Sequence, residues 1–475
     1  MKGKTAKYVV QKRTDGLEAE AHDLVNRGKA SRCVAGRTHL VMALTCVLFS
    51  TSAFADDPTY FVPQLLGAQY TFIGQWQDPL HSPYSGPLSL YPHGDHARSH
   101  TFGAYFGVPL TQRLAAYVDV EMFRGEGVSK SVGLGGLTNG DVIRGGGNTL
   151  GRSAYVARAF LTYDIPLGNE TTKLKRKMDQ LPSDQPNDRL SFKFGLLAVN
   201  DDFDQSRYAN STRTQFMNWS LFNSPAWDFA ADTRGYTVGG VAAYVTGPWT
   251  WRYGVYQMPT QANGVTLEGR IGRANGQNAQ VTWQRSPDSF SVWLLAFDNK
   301  ARMGIYADAL AIGEREHATP SIQDDDQGGR HKYGVAAGID VPLADNGDTG
   351  LFARGAWNDG KTESFVFTEA DRSASVGGQL AGVTWHRPQD RVGLAFAVDG
   401  LSPDHRAYLQ AGGVGFTLGD GGLTYATEQI DEAYYDLAVT KFASLTADIQ
   451  LIHNPGYNHD RGPARFVGLR AHLEY

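Results

Sequence analysis

The chain has 475 residues, is 41% hydrophobic and 11% aromatic, carries 55 Gly and has a formal net charge of −5. That is room for one large all-β domain or about three small ones, and the lack of any run of 18 apolar residues excludes a membrane-spanning helix. Both cysteines lie within residues 1–55, which also hold nine Lys/Arg and four Asp/Glu; beyond them the balance is 35 basic to 45 acidic, a net of −10 that argues against nucleic acid, and no disulfide, thiol nucleophile or Cys-bound metal is available.

Leu40 to Ala55 is the longest apolar run. Arg37 precedes it, and Ala53-Phe54-Ala55 before Asp56 reads as a small-x-small cleavage site, so the segment is expected to be a secretory signal peptide. Met1 to Thr38 is long and charged for the basic start of such a signal, which suggests a downstream start codon or a leader extension. Ala43-Leu44-Thr45-Cys46 is a poor lipoprotein box. Residues 1–55 are therefore set apart as a removed leader, and residues 56–475 are taken as one domain.

After a short segment to Leu66, the chain alternates. Tyr70, Phe72 and Trp76 fall on one face of Gly67–Gln77 and Gln69, Thr71 and Gln75 on the other, the period of a half-apolar strand. Thr101–Leu110 and Gln112–Phe123 meet at Pro109-Leu110-Thr111; in the second, Leu114, Ala116, Val118, Val120 and Met122 oppose Tyr117, Asp119 and Glu121. Ser153–Pro166 sets Tyr155, Ala157, Ala159, Leu161, Tyr163 and Ile165 against Arg158, Thr162 and Asp164. A charged linker, Gly168 to Arg189, precedes Leu190–Asn200.

Gly235–Thr246 and Trp249–Met258 flank the turn signal Gly247-Pro248. Then come Gln277–Arg285, Phe290–Asn299, Lys332–Pro342, Thr349–Asn358, Val376–Arg387, Arg391–Gly400, Thr427–Thr440, Ser444–Asn454 and Ala464–Tyr475. The last sends Val467, Leu469, Ala471, Leu473 and Tyr475 one way and Gly468, Arg470, His472 and Glu474 the other. A half-apolar strand in that position leaves an open sheet edge unless it pairs with the first strand.

About sixteen strands of about ten residues suit a tilted crossing of the hydrocarbon. Short Pro-, Gly-, Asp- or Asn-containing turns alternate with long connections, the Gly168–Arg189 linker excepted. The expected fold is an all-β, transmembrane, antiparallel up-and-down β-barrel of about sixteen strands, its long outer loops partly folded into the lumen and both strand ends in the periplasm. A soluble sandwich or propeller would alternate too, but it does not explain the loop asymmetry, and no 40–50-residue repeat supports a propeller.

Sixteen strands leave an aqueous channel. The inferred lumen face carries Asp119, Glu121, Arg158, Asp164, Lys193, Arg252, Arg354, Asp436, Asp448, Arg470 and His472. A selective ion pore would show one sign; a mixed wall suits neutral polar solutes, or merely solvates the lumen. The outlier is Asp201–Arg234, with Phe203, Tyr208, Phe216, Trp219, Phe222, Trp227 and Phe229. So aromatic a loop is expected to fold against the inner wall, either to offer aromatic faces beside Asp and Arg, which suits sugars, or as a packed cap without solute contact.

His93, Asp95, His96 and His100 have a spacing that could hold a metal but read as a solvated loop. Gly133–Gly140 and Gly145-Gly146-Gly147 lack a phosphate-binding Lys-Ser/Thr and also read as loop. Neither Gly-x-Ser-x-Gly nor His-Glu-x-x-His occurs. No cofactor is called for.

Asn454-Pro455-Gly456-Tyr457-Asn458-His459-Asp460-Arg461-Gly462-Pro463, running into the last strand, resembles the closing motif of carbohydrate-selective porins of the OprB type. Ser82–Pro87, Asp201 to Gly235 with Asn218-Trp219-Ser220 and Pro225-Ala226-Trp227, Gly419-Asp420-Gly421 and Glu432-Ala433-Tyr434-Tyr435 resemble that family as well. The resemblance implies a sixteen-stranded barrel of the Gram-negative outer membrane. It would pass mono- and oligosaccharides by diffusion, with loops forming a constriction. The expected constriction residues are Glu121, Arg158, Asp202, Asp204, Arg207, Arg213, Trp219 and Trp227, the partners are neutral sugars and outer-membrane lipid, and a homo-oligomer is left open. The alternatives are a general or polysaccharide-exporting channel, whose lumen should be rich in Arg and Lys, and a barrel enzyme, for which no Ser nucleophile is recognisable.

Overall fold

Alternation becomes a closed wall in the computed structural model, which describes residues 65–142 and 153–475. The expected signal peptide, both cysteines and the Gly145–Gly147 run lie outside the described residues. The strands are β1 (Leu65–Gln77), β2 (Asp95–Pro109), β3 (Leu114–Gly125), β4 (Tyr155–Pro166), β5 (Thr171–Leu174), β6 (Ser183–Pro186), β7 (Arg189–Leu197), β8 (Thr237–Thr246) and β9 (Trp249–Gln257). They continue with β10 (Asn275–Gln284), β11 (Ser291–Met303), β12 (Gln327–Ala344), β13 (Thr349–Asn358), β14 (Arg372–Gly382), β15 (Arg387–Gly400), β16 (Glu428–Thr440), β17 (Ala443–His453) and β18 (Ala464–Glu474).

All but β5 and β6 form one closed barrel of sixteen strands, each antiparallel to its neighbours. β18 closes onto β1 in the register Gln69↔Glu474 to Gln77↔Phe466, so no edge is left unpaired. The outward side chains are the exposed apolar ones, among them Trp76, Phe102, Leu394 and Leu469, while Thr71, Gln75, Glu121 and Arg470 point inward and are buried. Outward aromatics mark the short-turn end, where Tyr244, Trp249 and Trp251 stack at centroid spacings of 5.6 Å, and Tyr333 and Trp357 meet at the long-loop end. Such girdles sit at the two membrane interfaces.

The structure departs from the sequence reading in three places. On β4, Tyr155 and Ala157 do not share the lipid face with Ala159 and Leu161. A β-bulge shifts the pairing between Asp119↔Arg158 and Val120↔Val156, and the extra residue, Ala157, carries Tyr155 to the inner face. The Gly168–Arg189 linker, read from the sequence only as a charged stretch, holds two short strands, β5 and β6, that form a hairpin at the short-turn end. Its Leu181 buries against Leu65, Tyr105, Tyr117 and Phe160.

The third departure concerns the lumen, which is not watery throughout. β11 is apolar on both faces: Val292 and Leu294 look out, and Trp293, Leu295 and Phe297 are buried inside. There they pack with Trp219, Phe222, Trp227 and Phe229 from the long connection between β7 and β8. Each such side chain gains about 1.5–3 kcal/mol on leaving water, so the aromatic loop turns the β8–β13 half of the barrel into a dry core.

Candidate functional site

The loop of residues 198–236 is held inside by the wall's own charges. Arg354 pairs with the buried Asp204 at 2.9 Å and donates to the carbonyls of Leu221 (2.9 Å) and Ala209 (2.6 Å). Lys332 pairs with Asp228 at 3.2 Å, and Asp228 also accepts the N–H groups of Phe365 and Val366 at 2.9 Å, joining this loop to the one after β13. Glu432 accepts from the backbone of Met217 and Asn218, and Arg470 donates to the carbonyls of Thr212 (2.8 Å) and Gln215 (2.7 Å). Burial pushes the carboxyls of Asp204 and Asp228 up even with a cation beside each. Within the loop, Asn218 caps the short helix α1 (Trp219–Phe222) by accepting from the Ser220 N–H at 3.0 Å.

What stays open is a cavity of about 330 Å³ between this loop and the wall made by β2, β3 and β4. Its lining runs from Val142, Arg234 and Phe367 on the long-loop connections to Met178 on the β5–β6 hairpin. Glu121 and Arg158 enter it from the wall and Arg213 from the loop. Arg213 reaches Asp141 at 2.7 Å and Glu121 at 3.1 Å, and Glu121 also accepts from the hydroxyls of Tyr236 (2.6 Å) and Tyr155 (3.2 Å). Arg158 grips Asp201 with two parallel bonds, Nε at 2.7 Å and Nη2 at 2.9 Å, and reaches Asp119 at 3.3 Å and Asp179 at 3.5 Å. Its guanidinium lies 5.3 Å from the Tyr236 ring. Arg234 lies 4.9 Å from the ring of Tyr155.

These fixed pairs tune the loop groups. Burial works against charge on Asp201, but Arg158 and Lys193 outweigh it and hold the carboxyl below its usual range. Burial likewise opposes the charge on Arg213, and Asp141 and Glu121 overcome it, so the guanidinium stays charged. Burial pushes the Asp179 carboxyl up. The outcome is a cavity rimmed by locked cations, locked carboxylates and phenol hydroxyls, with the indole of Trp219, stacked on Phe367 at 4.7 Å, at its edge.

Of the eight expected constriction residues, Glu121, Arg158, Arg213 and Trp219 line this cavity. The other four do not. Asp202 accepts from Lys193 at 3.0 Å. Asp204 is buried on Arg354. Arg207 reaches the short-turn end, donating to the carbonyls of Pro287 (3.0 Å) and Asn346 (2.7 Å). Trp227 is 1% exposed and donates from Nε1 to Asn278 at 2.8 Å inside the dry core. Sequence reasoning missed Asp141, Tyr155, Asp201 and Tyr236. A bulge hid Tyr155; the others sit in connections whose path carries no periodic signal. Of the suspected metal cluster, His96 and His100 lie on β2, and no group of three His, Cys, Asp or Glu with metal-holding geometry occurs among the described residues.

Residues 110–475 match the family model described as carbohydrate-selective porin, OprB family. The chain belongs to that family. It is a porin, a passive carbohydrate channel of the outer membrane. Pseudomonas putida OprB in its high-pH structure shares 15% identity with this porin at a TM-score of 0.64, over 87% of this chain and 94% of that one. The outer-membrane channel DcaP of Acinetobacter baumannii shares 14% identity at a TM-score of 0.48, over 86% and 96% of the two chains. No match was found among curated proteins. The residues that carried the resemblance in this porin tie outer loops together: Arg461 pairs with Asp420 at 3.1 Å and donates to the carbonyls of Tyr84 (3.0 Å) and Leu90 (2.6 Å), and Asn458 donates to Asp420 at 3.1 Å.

Proposed function

We propose that the cavity between the folded-in loop and the β2–β4 wall is the channel's constriction and that it holds a neutral monosaccharide weakly as it passes. The observation that carries this reading is the pairing of Arg213 and Arg158 with Glu121, Asp141 and Asp201 around one opening. Balanced, pre-oriented donors and acceptors can exchange hydrogen bonds with sugar hydroxyls, whereas a net field of one sign would favour ions. Trp219 supplies an apolar face at the cavity edge for the sugar ring. Solutes cross by diffusion, with no bond made and no energy coupled. All lining residues come from one chain, so the reading needs no second copy. Export by a signal peptide within residues 1–55 and an outward-facing long-loop end complete it.

Planar-bilayer recording with a panel of sugars tests the reading. Millimolar glucose should reduce the ion current through the wild-type channel, and Glu121→Gln and Arg213→Gln should each weaken that reduction. A current indifferent to every neutral sugar would overturn the constriction assignment.

A further inference from the structure

On the outside of the barrel, β2 changes character along its length. Its outward residues are Val108, Phe106, Ala104 and Phe102 from the short-turn end, then His100, Arg98 and His96 toward the long loops. β3 does the same, running Ala116, Val118, Val120 and Met122 and then Arg124. In the pairing, Arg124 stands opposite His100 and Arg98 opposite Gly74 of β1, whose outward Trp76 pairs with His96. Arg98 and Arg124 are thus diagonal neighbours across the β2–β3 pair, with Cα atoms about 7–8 Å apart, and both are exposed, as are His96 and Trp76.

Neither arginine has an acidic partner within ion-pair distance among the described residues. Glu126, two residues beyond Arg124, donates its backbone N–H to the Arg98 carbonyl at 3.1 Å but forms no ion pair with either arginine. Arg124 makes only a 3.9 Å contact from Nη2 to the sulfur of Met122. Of the other outward cations at this end, Arg302 pairs with Asp326 at 2.7 Å and Arg465 with Asp78, while Lys300 on β11 and Arg372 on β14 have no ion pair among the described residues but stand on separate strands rather than side by side. His100 is fixed by Tyr70, whose hydroxyl lies 2.9 Å from Nδ1.

From this placement we propose that the outer ends of β1–β3 form a docking site for a phosphorylated lipid of the outer leaflet, with Arg98 and Arg124 gripping one headgroup phosphate. The apolar stripe from Phe102 to Val108 lies along the acyl chains. Where it ends, lipid headgroups begin, and two unpaired guanidiniums at that level match a phosphate in charge and in bidentate geometry. Trp76 is the interfacial aromatic beside them.

The test uses the full porin refolded from denaturant, incubated in detergent with bis-phosphorylated lipid A or with the same lipid stripped of phosphate, and native mass spectrometry of the retained lipid. Wild type should retain the phosphorylated form about tenfold or more over the stripped one. Arg98→Gln combined with Arg124→Gln should bring retention down to the level of the stripped lipid while leaving channel conductance unchanged. Equal retention of the two lipids by wild type, or a double variant that binds like wild type, would overturn the proposal. Should the double variant fail to fold, the wild-type comparison decides alone.

Discussion

Arg213, carried on a loop, meets Glu121, carried on the wall, at 3.1 Å across the barrel's interior. That one contact joins the folded-in loop to the barrel wall, and it sets the charge balance of the opening. Arg213→Ala leaves Glu121 and Asp141 without their shared cation. The lining then carries one more net negative charge. The reversal potential in a salt gradient should shift toward cation selectivity, and the glucose effect on current should shrink. An unchanged reversal potential would show that these carboxylates do not face the permeation path.

The two tryptophans expected to act together should separate. Both pack in the dry core, but only Trp219 also borders the cavity. Trp227→Ala should cost about 3–5 kcal/mol of stability, seen as a lower temperature for loss of the heat-resistant form on gels, with the sugar response retained in folded channels. Trp219→Ala should lose sugar response as well. Equal loss of sugar response in both variants would contradict the placement.

The β5–β6 hairpin sits at the short-turn end, where it is expected to narrow the path. Met178 lines the cavity, Asp179 reaches Arg158 at 3.5 Å, and Leu181 is buried against the wall. Asp179→Ala should raise single-channel conductance modestly, and replacing residues 172–185 with a short turn should raise it further. Conductance at the wild-type level in the shortened channel would place the hairpin clear of the path.

One pH response follows from the loop after β13. Burial pushes the Glu363 carboxyl up from 4.5 to about 7 while it accepts from the Gly304 N–H at 2.9 Å. In the unfolded chain the group ionises near 4.5, so the folded state is favoured by its neutral form. That contribution, on the order of 3 kcal/mol, is full below pH about 4.5 and is lost as pH rises through about 7. Protection of this loop from protease should therefore fall between pH 5 and 8, and Glu363→Gln should flatten the dependence.

Local periodicity determined much of this protein on its own. Residues two apart along the last strand already specified a two-faced strand, because strand geometry sends alternate side chains to opposite faces whatever they meet there. The contrast of short and long connections specified its two ends, and the aromatic density of Asp201–Arg234 showed that the loop had to fold inward. Only the tertiary structure decided which inward charges face water. Arg158 and Glu121 border the cavity, while Arg354 and Lys332, on identical-looking strands, are spent anchoring a loop. That choice depends on which residue lies across the lumen, more than a hundred positions away for Arg354 and the Leu221 carbonyl. No nearby residue encodes such a partner. The bulge at Ala157 is the same lesson at short range: one extra residue reverses a face, and the run of side chains around it looks unbroken.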